Sequence, residues 1–324
     1  MNIISEILKD DDPEEPYRRR QDEEKKGISW GQRKLLLSLV SFLSKYLDKN
    51  IKNPVVVYAG AAPGINIGIA AKLFPNITWH LYDPAKFKLK TDLTRKIIVY
   101  PKKFTDQIAE YWSKHNNIYF ISDIRTADYT KLKDLNENEQ QILGDMEMQK
   151  RWVEIIRPLC SQLKFRLPYD IPGMPDQIEY LDGVIYKTPW SPQTSTETRL
   201  VVTNLGVNSP FAYKTYSCQK YQSQLFHHNV IVRETYKFEN DCMDPPELLD
   251  EFDSCCEVLI WKDYLNYLGS SVSEAGLNSP TSENVIQLSR QATDLLTKNR
   301  KYKDTLSYLR DNPRAIKTRN FNRE

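Results

Sequence analysis

Residues 32–47 place Leu35, Leu36, Leu39, Val40, Leu43, Tyr46 and Leu47 at spacings of three and four, the period of a helix with one apolar face. From Val55 to about Thr203 the pattern changes: short apolar runs at 55–59, 77–82, 97–100, 117–122, 161–167, 183–187 and 198–203 alternate with helical stretches. The longest of these, 139–156, puts Ile142, Met146, Trp152 and Ile156 on a common face. Strands that alternate with helices predict an α/β fold, a mostly parallel central sheet with helices on both faces. Two later segments, 211–217 and 228–233, read as further strands that add antiparallel edges, and a last helix is expected over about 285–310.

Polar patterning divides the rest. Residues 9–26 alternate acidic and basic blocks with Pro13 and Pro16, so 1–27 is expected to be a mobile charged tail unless a ligand or partner orders it. A domain over 28–269, a Ser-rich link at 270–284, and a C-terminal helix with a basic tail over 285–324 complete the expected organisation. Within 298–324 nine Lys or Arg stand against three acids, a net of +6 hidden in a whole-chain charge of +2. That run is either a solvated helix face with a frayed end or a phosphate-contacting surface.

A chain of 324 residues, 40% hydrophobic and 27% charged, has the composition of a globular protein. It contains no apolar run near the roughly 18 residues of a membrane span, and its acidic start is not a signal peptide, so it is expected to stay where it is made. Cys160, Cys218, Cys242, Cys255 and Cys256 include no C-x-x-C pair, which points to a reducing compartment and away from structural zinc. His227 and His228 lack further ligands at helical or hairpin spacing, so no metal is expected.

The strongest local signal is Pro54-Val-Val-Val-Tyr58-Ala-Gly60-Ala-Ala-Pro63-Gly64: an apolar strand ends in a small-residue turn ahead of a helix near Ile65. Such a turn exposes backbone N–H groups to a ligand at the helix start. Asp83, 23 residues after Gly60 and at the end of the next strand, suits an acid that holds a ribose diol. Positions 60–65 are Gly-Ala-Ala-Pro-Gly-Ile rather than the dinucleotide fingerprint, which disfavours hydride transfer. The readings left are an S-adenosylmethionine site and an ordinary strand-to-helix connection.

Four polar residues interrupt apolar surroundings at element ends: Lys34, Asp123, Lys164 and Glu197. Each alone has an ordinary explanation, as a snorkelling lysine, a helix cap, a solvent-facing strand residue or a strand-end charge. As a set they alternate base and acid through the domain that carries the turn.

With Gln32-Arg-Lys34-Leu-Leu-Leu, Val56-Val-Tyr58-Ala-Gly60-Ala-Ala-Pro-Gly64, Ile121-Ser-Asp123-Ile-Arg, Leu163-Lys164-Phe-Arg166 and Glu197-Thr-Arg-Leu in this order, the chain resembles the poxvirus-type cap-specific mRNA nucleoside 2′-O-methyltransferases. That family also serves as the small regulatory subunit of poly(A) polymerase. The resemblance implies a Rossmann-like S-adenosylmethionine-dependent methyltransferase fold, methyl transfer to the first transcribed nucleotide of capped mRNA, and a virus replicating in cytoplasm. It implies Lys164 as base with Lys34, Asp123 and Glu197 around it. The cofactor falls to Gln32, Tyr58, Gly60, Gly64, Asp83, Thr105 and Asp123, with its adenine near Phe104-Thr105. Cap and RNA contacts fall to Tyr17, Arg166, Tyr169, Asp170, Ser195 and Glu197.

Three positions depart from the family. An arginine past the ribose acid is Ala85, with Lys86 as the stand-in; an aromatic is Thr194; an acid is Gln222. Two other functions stay open beside cap methylation: an RNA-binding subunit that raises the processivity of a poly(A) polymerase catalytic partner, and methylation of uncapped RNA.

Overall fold

A computed structural model describes residues 5–18, 28–126, 134–192, 194–204, 209–236, 252–269 and 281–296. In chain order the elements are α1 (Ile28–Tyr46), β1 (Val55–Ala59), α2 (Ile65–Leu73), β2 (Thr78–Tyr82), β3 (Ile97–Tyr100), α3 (Asp106–Trp112), β4 (Ile118–Ser122), α4 (Leu135–Ile156) and β5 (Cys160–Phe165). There follow β6 (Gln177–Leu181), β7 (Val184–Tyr186), β8 (Thr198–Thr203), β9 (Tyr213–Ser217), α5 (Cys218–His227), a π-helical turn (His228–Val232), α6 (Arg233–Thr235), α7 (Phe252–Gly269) and α8 (Ser282–Leu296).

Seven strands form one sheet in the order β3-β2-β1-β4-β5-β8-β7. The first five are parallel, and β8 and β7 are antiparallel additions. Valine-rich runs suit these central strands because both faces are covered. On one face Val56, Tyr58, Trp79, Leu81 and Ile121 pack with α1, α2, α7 and α8. On the other, Val57, Ala59, Phe120, Leu163 and Phe165 pack with Trp112 of α3 and with Ile142, Met146, Trp152 and Ile156 of α4, the face expected from their spacing. Strand order reverses between β1 and β4, so the crevice beyond their C-terminal ends is a topological switch point.

Several expectations are corrected. Residues 228–233 continue α5 through the π-helical turn instead of forming a strand; His228 and Asn229 are buried there, and packing overrides the β-propensity of Val230, Ile231 and Val232. Strand β9 pairs with β6 in a separate two-stranded sheet, so the main sheet gains its antiparallel edge from β8 and β7 alone. The sequence reading assigns no element to β6 or to α7. Helix α4 begins four residues early, where Asp134 caps it by accepting from Glu137 N–H at 2.8 Å.

Residues 5–18 lie along the domain instead of standing off as a mobile tail. Leu8 is buried and its N–H donates to Ile185 O, Lys187 N–H donates to Glu6 O, and Glu6 pairs with Lys45. Most of the Ser-rich link, the stretch 297–310 of the expected last helix, and the basic run at 298–324 lie outside the described residues. Cys160, Cys218, Cys255 and Cys256 are buried thiols; Cys242 lies outside the described residues. Among the described residues no helix is long and apolar enough to cross a membrane.

Candidate active site

The turn after β1 is shaped by two glycines in the left-handed region, Gly60 at φ 81° and Gly64 at φ 79°. At Gly60 a Cβ atom would stand 2.7 Å from the Asp123 carbonyl carbon. Glycine is therefore dictated by the approach of β1 to the end of β4 as well as by φ, beyond the tight turn and ligand approach expected from the sequence. Gly60 and Ala61 N–H both donate to Tyr82 O, which fixes the turn to β2. Asp83 completes it: Oδ2 accepts from Ala62 N–H at 3.0 Å and Oδ1 from Ala85 N–H at 2.7 Å. Across the crevice, Gln32 Oε1 accepts from Asn66 N–H in the first turn of α2 at 3.2 Å. Tyr58 is buried beneath, its phenol pushed up by burial and then by the charge of Asp123. Thr105 caps α3 through Ile108 N–H, and Phe104 is buried against Tyr82 and Trp152.

Beside this turn the four alternating residues meet. Lys34 comes from α1, Asp123 follows β4, Lys164 lies in β5, and Glu197 precedes β8. Antiparallel pairing of β8 with β5, Lys164 opposite Arg199 and Phe165 opposite Thr198, brings the start of one strand to the end of the other. Lys34 Nζ lies 2.8 Å from Glu197 Oε1, and Lys164 Nζ lies 3.1 Å from Asp123 Oδ1 and 3.5 Å from Glu197 Oε2. Two further cations, given no role from the sequence, join them. Arg199 reaches Asp123 Oδ1 at 3.0 Å and Glu197 Oε1 at 3.1 Å, and Arg125 reaches Glu197 Oε2 at 3.2 Å. The signal for Arg199 was its place two residues past Glu197 on an extended chain, where alternate side chains share a face.

Burial sets the electrostatics. It pushes the Lys34 ammonium down, and Arg199 and Lys164 add to that while Glu197 opposes it. For Glu197 burial raises the carboxyl, but Lys164, Lys34, Arg199 and Arg125 overcome this and hold it well below the usual range. A carboxylate so placed stays ionised and holds two ammonium groups in fixed positions.

A second cluster lies beyond β5. Tyr17, from the N-terminal segment, stacks on Tyr169 with ring centroids 4.9 Å apart and planes 28° apart. Its hydroxyl oxygen lies 3.0 Å from Tyr169 Oη and 3.1 Å from Thr194 O, a backbone acceptor that does not depend on the side chain at 194. Arg166 stacks its guanidinium 4.2 Å from the Tyr169 ring centre. Its partner is Glu139 of α4, fully buried, at 2.9 Å, and the other Glu139 oxygen accepts from Tyr169 N–H at 3.0 Å. Nothing in the sequence pattern singled out Glu139, which is buried on α4 together with Asp145 and Gln149. Asp170 N–H donates to Gln222 Oε1 at 3.2 Å, and Ser195 Oγ accepts from Glu197 N–H at 3.2 Å. Lys86 is exposed. Among the described residues no three His, Cys, Asp or Glu side chains gather as a metal site.

Known proteins give this geometry a context. A cap-specific mRNA (nucleoside-2′-O-)-methyltransferase of fowlpox virus (strain NVSL) is 28% identical over 208 residues, 58% of this chain and 63% of that protein. The protein of the same name from myxoma virus (strain Lausanne) is 28% identical over 214 residues, 63% of this chain and 61% of that protein. The chain thus spans less than two thirds of the length of these curated relatives. Among solved structures, bluetongue virus VP4, described as a multifunctional RNA-capping production line, aligns at 18% identity and TM-score 0.42, covering 74% of this chain and 39% of that one. The family described as poly(A) polymerase regulatory subunit matches residues 2–266, most of the sequence, and the chain belongs to that family.

Proposed function

We propose that this protein transfers a methyl group from S-adenosylmethionine to the ribose 2′-oxygen of the first transcribed nucleotide of capped mRNA. The observation that carries this reading is the meeting of Lys34, Asp123, Lys164 and Glu197 within ion-pair distance beside the Gly60 turn.

The residues at the switch point fit the cofactor. Asp83 spends one lone pair of each oxygen on the turn and keeps others for a ribose diol. Among the described residues the amide nitrogen of Asn66, buried at the first turn of α2, has no hydrogen-bond partner, a donor in want of an acceptor. Gln32, Tyr58, Gly60, Gly64, Asp83, Thr105 and Asp123 are the assigned contacts, and Lys86 is the stand-in beside Ala85. When bound, S-adenosylmethionine supplies an electrophilic methyl group with its own leaving group.

The chain supplies the rest. Lys164 Nζ is the base that takes the 2′-hydroxyl proton as the oxygen attacks the methyl group. The ammonium so formed is met by Asp123 Oδ1 and Glu197 Oε2. Lys34 and Arg199 hold Glu197 and Asp123 in place, so these carboxylates need not reorganise during transfer.

Tyr17 and Tyr169 are the walls for the methylated guanine, whose positive charge favours aromatic faces. The rings touch, and a base between two rings needs about 7 Å, twice a contact distance, so it enters by parting them. Asp170 faces the base edge, and Arg166, Ser195 and Glu197 serve the RNA. A cytoplasmic site of viral replication is the setting this reading implies.

The test is methyl transfer from labelled cofactor to capped RNA by Lys164→Ala, which should lose activity and keep cofactor affinity; undiminished ribose methylation refutes the assignment. Equal turnover of uncapped transcripts by the unaltered protein would turn the reading to a general ribose methyltransferase.

The family description supports a second role, as an RNA-binding subunit of a poly(A) polymerase. Tail lengthening by a cognate catalytic subunit, with and without this chain, tests it, and unchanged tails remove that role.

A further inference from the structure

We infer that Gln224 is a positioning residue for the cap: it clamps residues 5–18 as a strap across the domain and thereby sets Tyr17 opposite Tyr169. The inference rests on the cap-binding role proposed for those two rings and adds what holds them in register.

Gln224 lies in α5 and is 4% exposed. The two protons of its amide NH2 face three backbone carbonyls of the strap, Lys9 O at 3.1 Å, Asp10 O at 3.2 Å and Asp12 O at 2.9 Å. Carbonyl oxygens converging on one buried amide define a turn that a carboxylate, with no proton to give, or an apolar group would leave without its donor. The turn is reinforced from within by Lys9 N–H to Asp12 Oδ2 and Asp12 N–H to Lys9 O. Lys187 and Lys214 pair with Asp12 and Asp10 on its flanks.

The same helix reaches both walls of the slot. One residue before Gln224, Ser223 O accepts from Glu15 N–H at 3.1 Å; two after it, Phe226 packs edge-on against Tyr17 at 5.4 Å. Gln222 Oε1 accepts from Asp170 N–H, next to Tyr169. Helix α5 is thus the common support of the Tyr17 wall and the Tyr169 wall, and Gln224 is where the strap is tied to it. A strap tied at 9–12 and at Glu15 leaves Tyr17 a short tether, which lets its ring part from Tyr169 and return without searching.

The test uses the full chain and the dinucleotide cap analogue m7GpppA, its affinity measured by calorimetry for the unaltered protein, Tyr17→Ala, Gln224→Glu and the double variant. Gln224→Glu is expected to weaken binding about 10-fold, raise KM for capped RNA, and leave kcat at saturation within about 2-fold. In the double variant the Gln224→Glu change is expected to add nothing to the loss from Tyr17→Ala, because it acts only through that ring. Leu8→Asp detaches the strap from β7 without touching α5 and should reproduce the KM effect, which keeps the test decisive if Gln224→Glu lowers the stability of the whole domain. Full cap affinity in both strap variants, or losses that add in the double variant, overturns the positioning role. Unchanged affinity in Tyr17→Ala overturns the cap reading itself, and this inference with it.

Discussion

Arg199 Nη2 and Asp123 Oδ1 lie 3.0 Å apart, and Lys164 Nζ shares that oxygen at 3.1 Å. With its other nitrogen on Glu197, Arg199 bridges both carboxylates from beneath the lysines while its side chain stays 3% exposed. Removing it leaves two buried carboxylates short of a cation, a change that costs about 3–5 kcal/mol when a buried pair is broken. Arg199→Met should therefore lower stability by about that amount in urea melts and reduce single-turnover methyl transfer at least about 100-fold. Arg199→Lys should recover only part of both, since a lysine offers no planar fork for two carboxylates.

Glu197→Gln removes the group that Lys34, Lys164, Arg199 and Arg125 all face. Cofactor affinity should hold while methyl transfer is lost, measured by binding and single-turnover assays on the same preparation. The pH dependence has a definite sign. The Glu197 carboxyl is held low in the fold, so its contribution is present above the unfolded value near 4.5 and is lost as pH falls toward the folded one. Stability of the unaltered protein should drop more steeply below about pH 4.5 than that of Glu197→Gln, as read from urea midpoints.

The sheet was legible where local pattern and tertiary demand agree. Val55-Val-Val-Tyr58 reads as a buried parallel strand and is one, and Asp123 and Lys164 stood out because each interrupts an apolar run, whereas Glu197 lies among Ser195, Thr196, Thr198 and Arg199. Helix α7 was not legible, because it is covered by α1 and α8 and buries Cys255, Val258, Ile260 and Trp261 together with Asp253, Ser254 and Glu257. A helix buried on several sides shows no amphipathic stripe. Glu257 is tolerable there because Arg33, Trp190, Trp261 and Ser289 all donate to it, contacts 224, 67, 4 and 32 residues away in sequence. Nothing near Asp12 in sequence points to Lys187, 175 residues away, whereas Asp10 stays largely exposed beside Lys214. The partners of Arg166 were hidden likewise, since nothing near it in sequence points to Glu139 of α4.

Gly60→Ala tests how tightly β1 meets β4. The added Cβ would lie 2.7 Å from the Asp123 carbonyl carbon and 2.8 Å from Ile124 N, both backbone, at a φ of 81° that alanine disfavours. Strain of this kind costs about 1–3 kcal/mol for the dihedral alone, and the contact adds to it. The variant should melt at lower temperature and lose cofactor affinity, because relief requires Asp123 to move. Gly64→Ala shares the positive φ, 79°, but its Cβ meets the Leu89 side chain at 3.3 Å and Ala61 O at 3.5 Å, so it should be milder.

His80 gives the fold an acid sensitivity separate from the carboxylates. Its ring is half-buried, edge-on to Trp112 at 4.5 Å, with Nδ1 3.1 Å from the Tyr100 hydroxyl. Burial, with a smaller push from His115, lowers its pKa from 6.5 to about 4. The folded state thus favours the neutral ring and the unfolded state binds the proton more readily, so the stabilisation is complete above about pH 6.5 and is lost as pH falls to about 4. A shift of that size corresponds to about 3 kcal/mol for a fully enclosed group, and solvent screening of a half-exposed ring reduces this to about 1–2 kcal/mol. His80→Gln should abolish that part of the slope, so that urea midpoints of variant and unaltered protein converge from pH 7.5 to 4.5. Parallel curves over that range would show that His80 takes up its proton equally in both states.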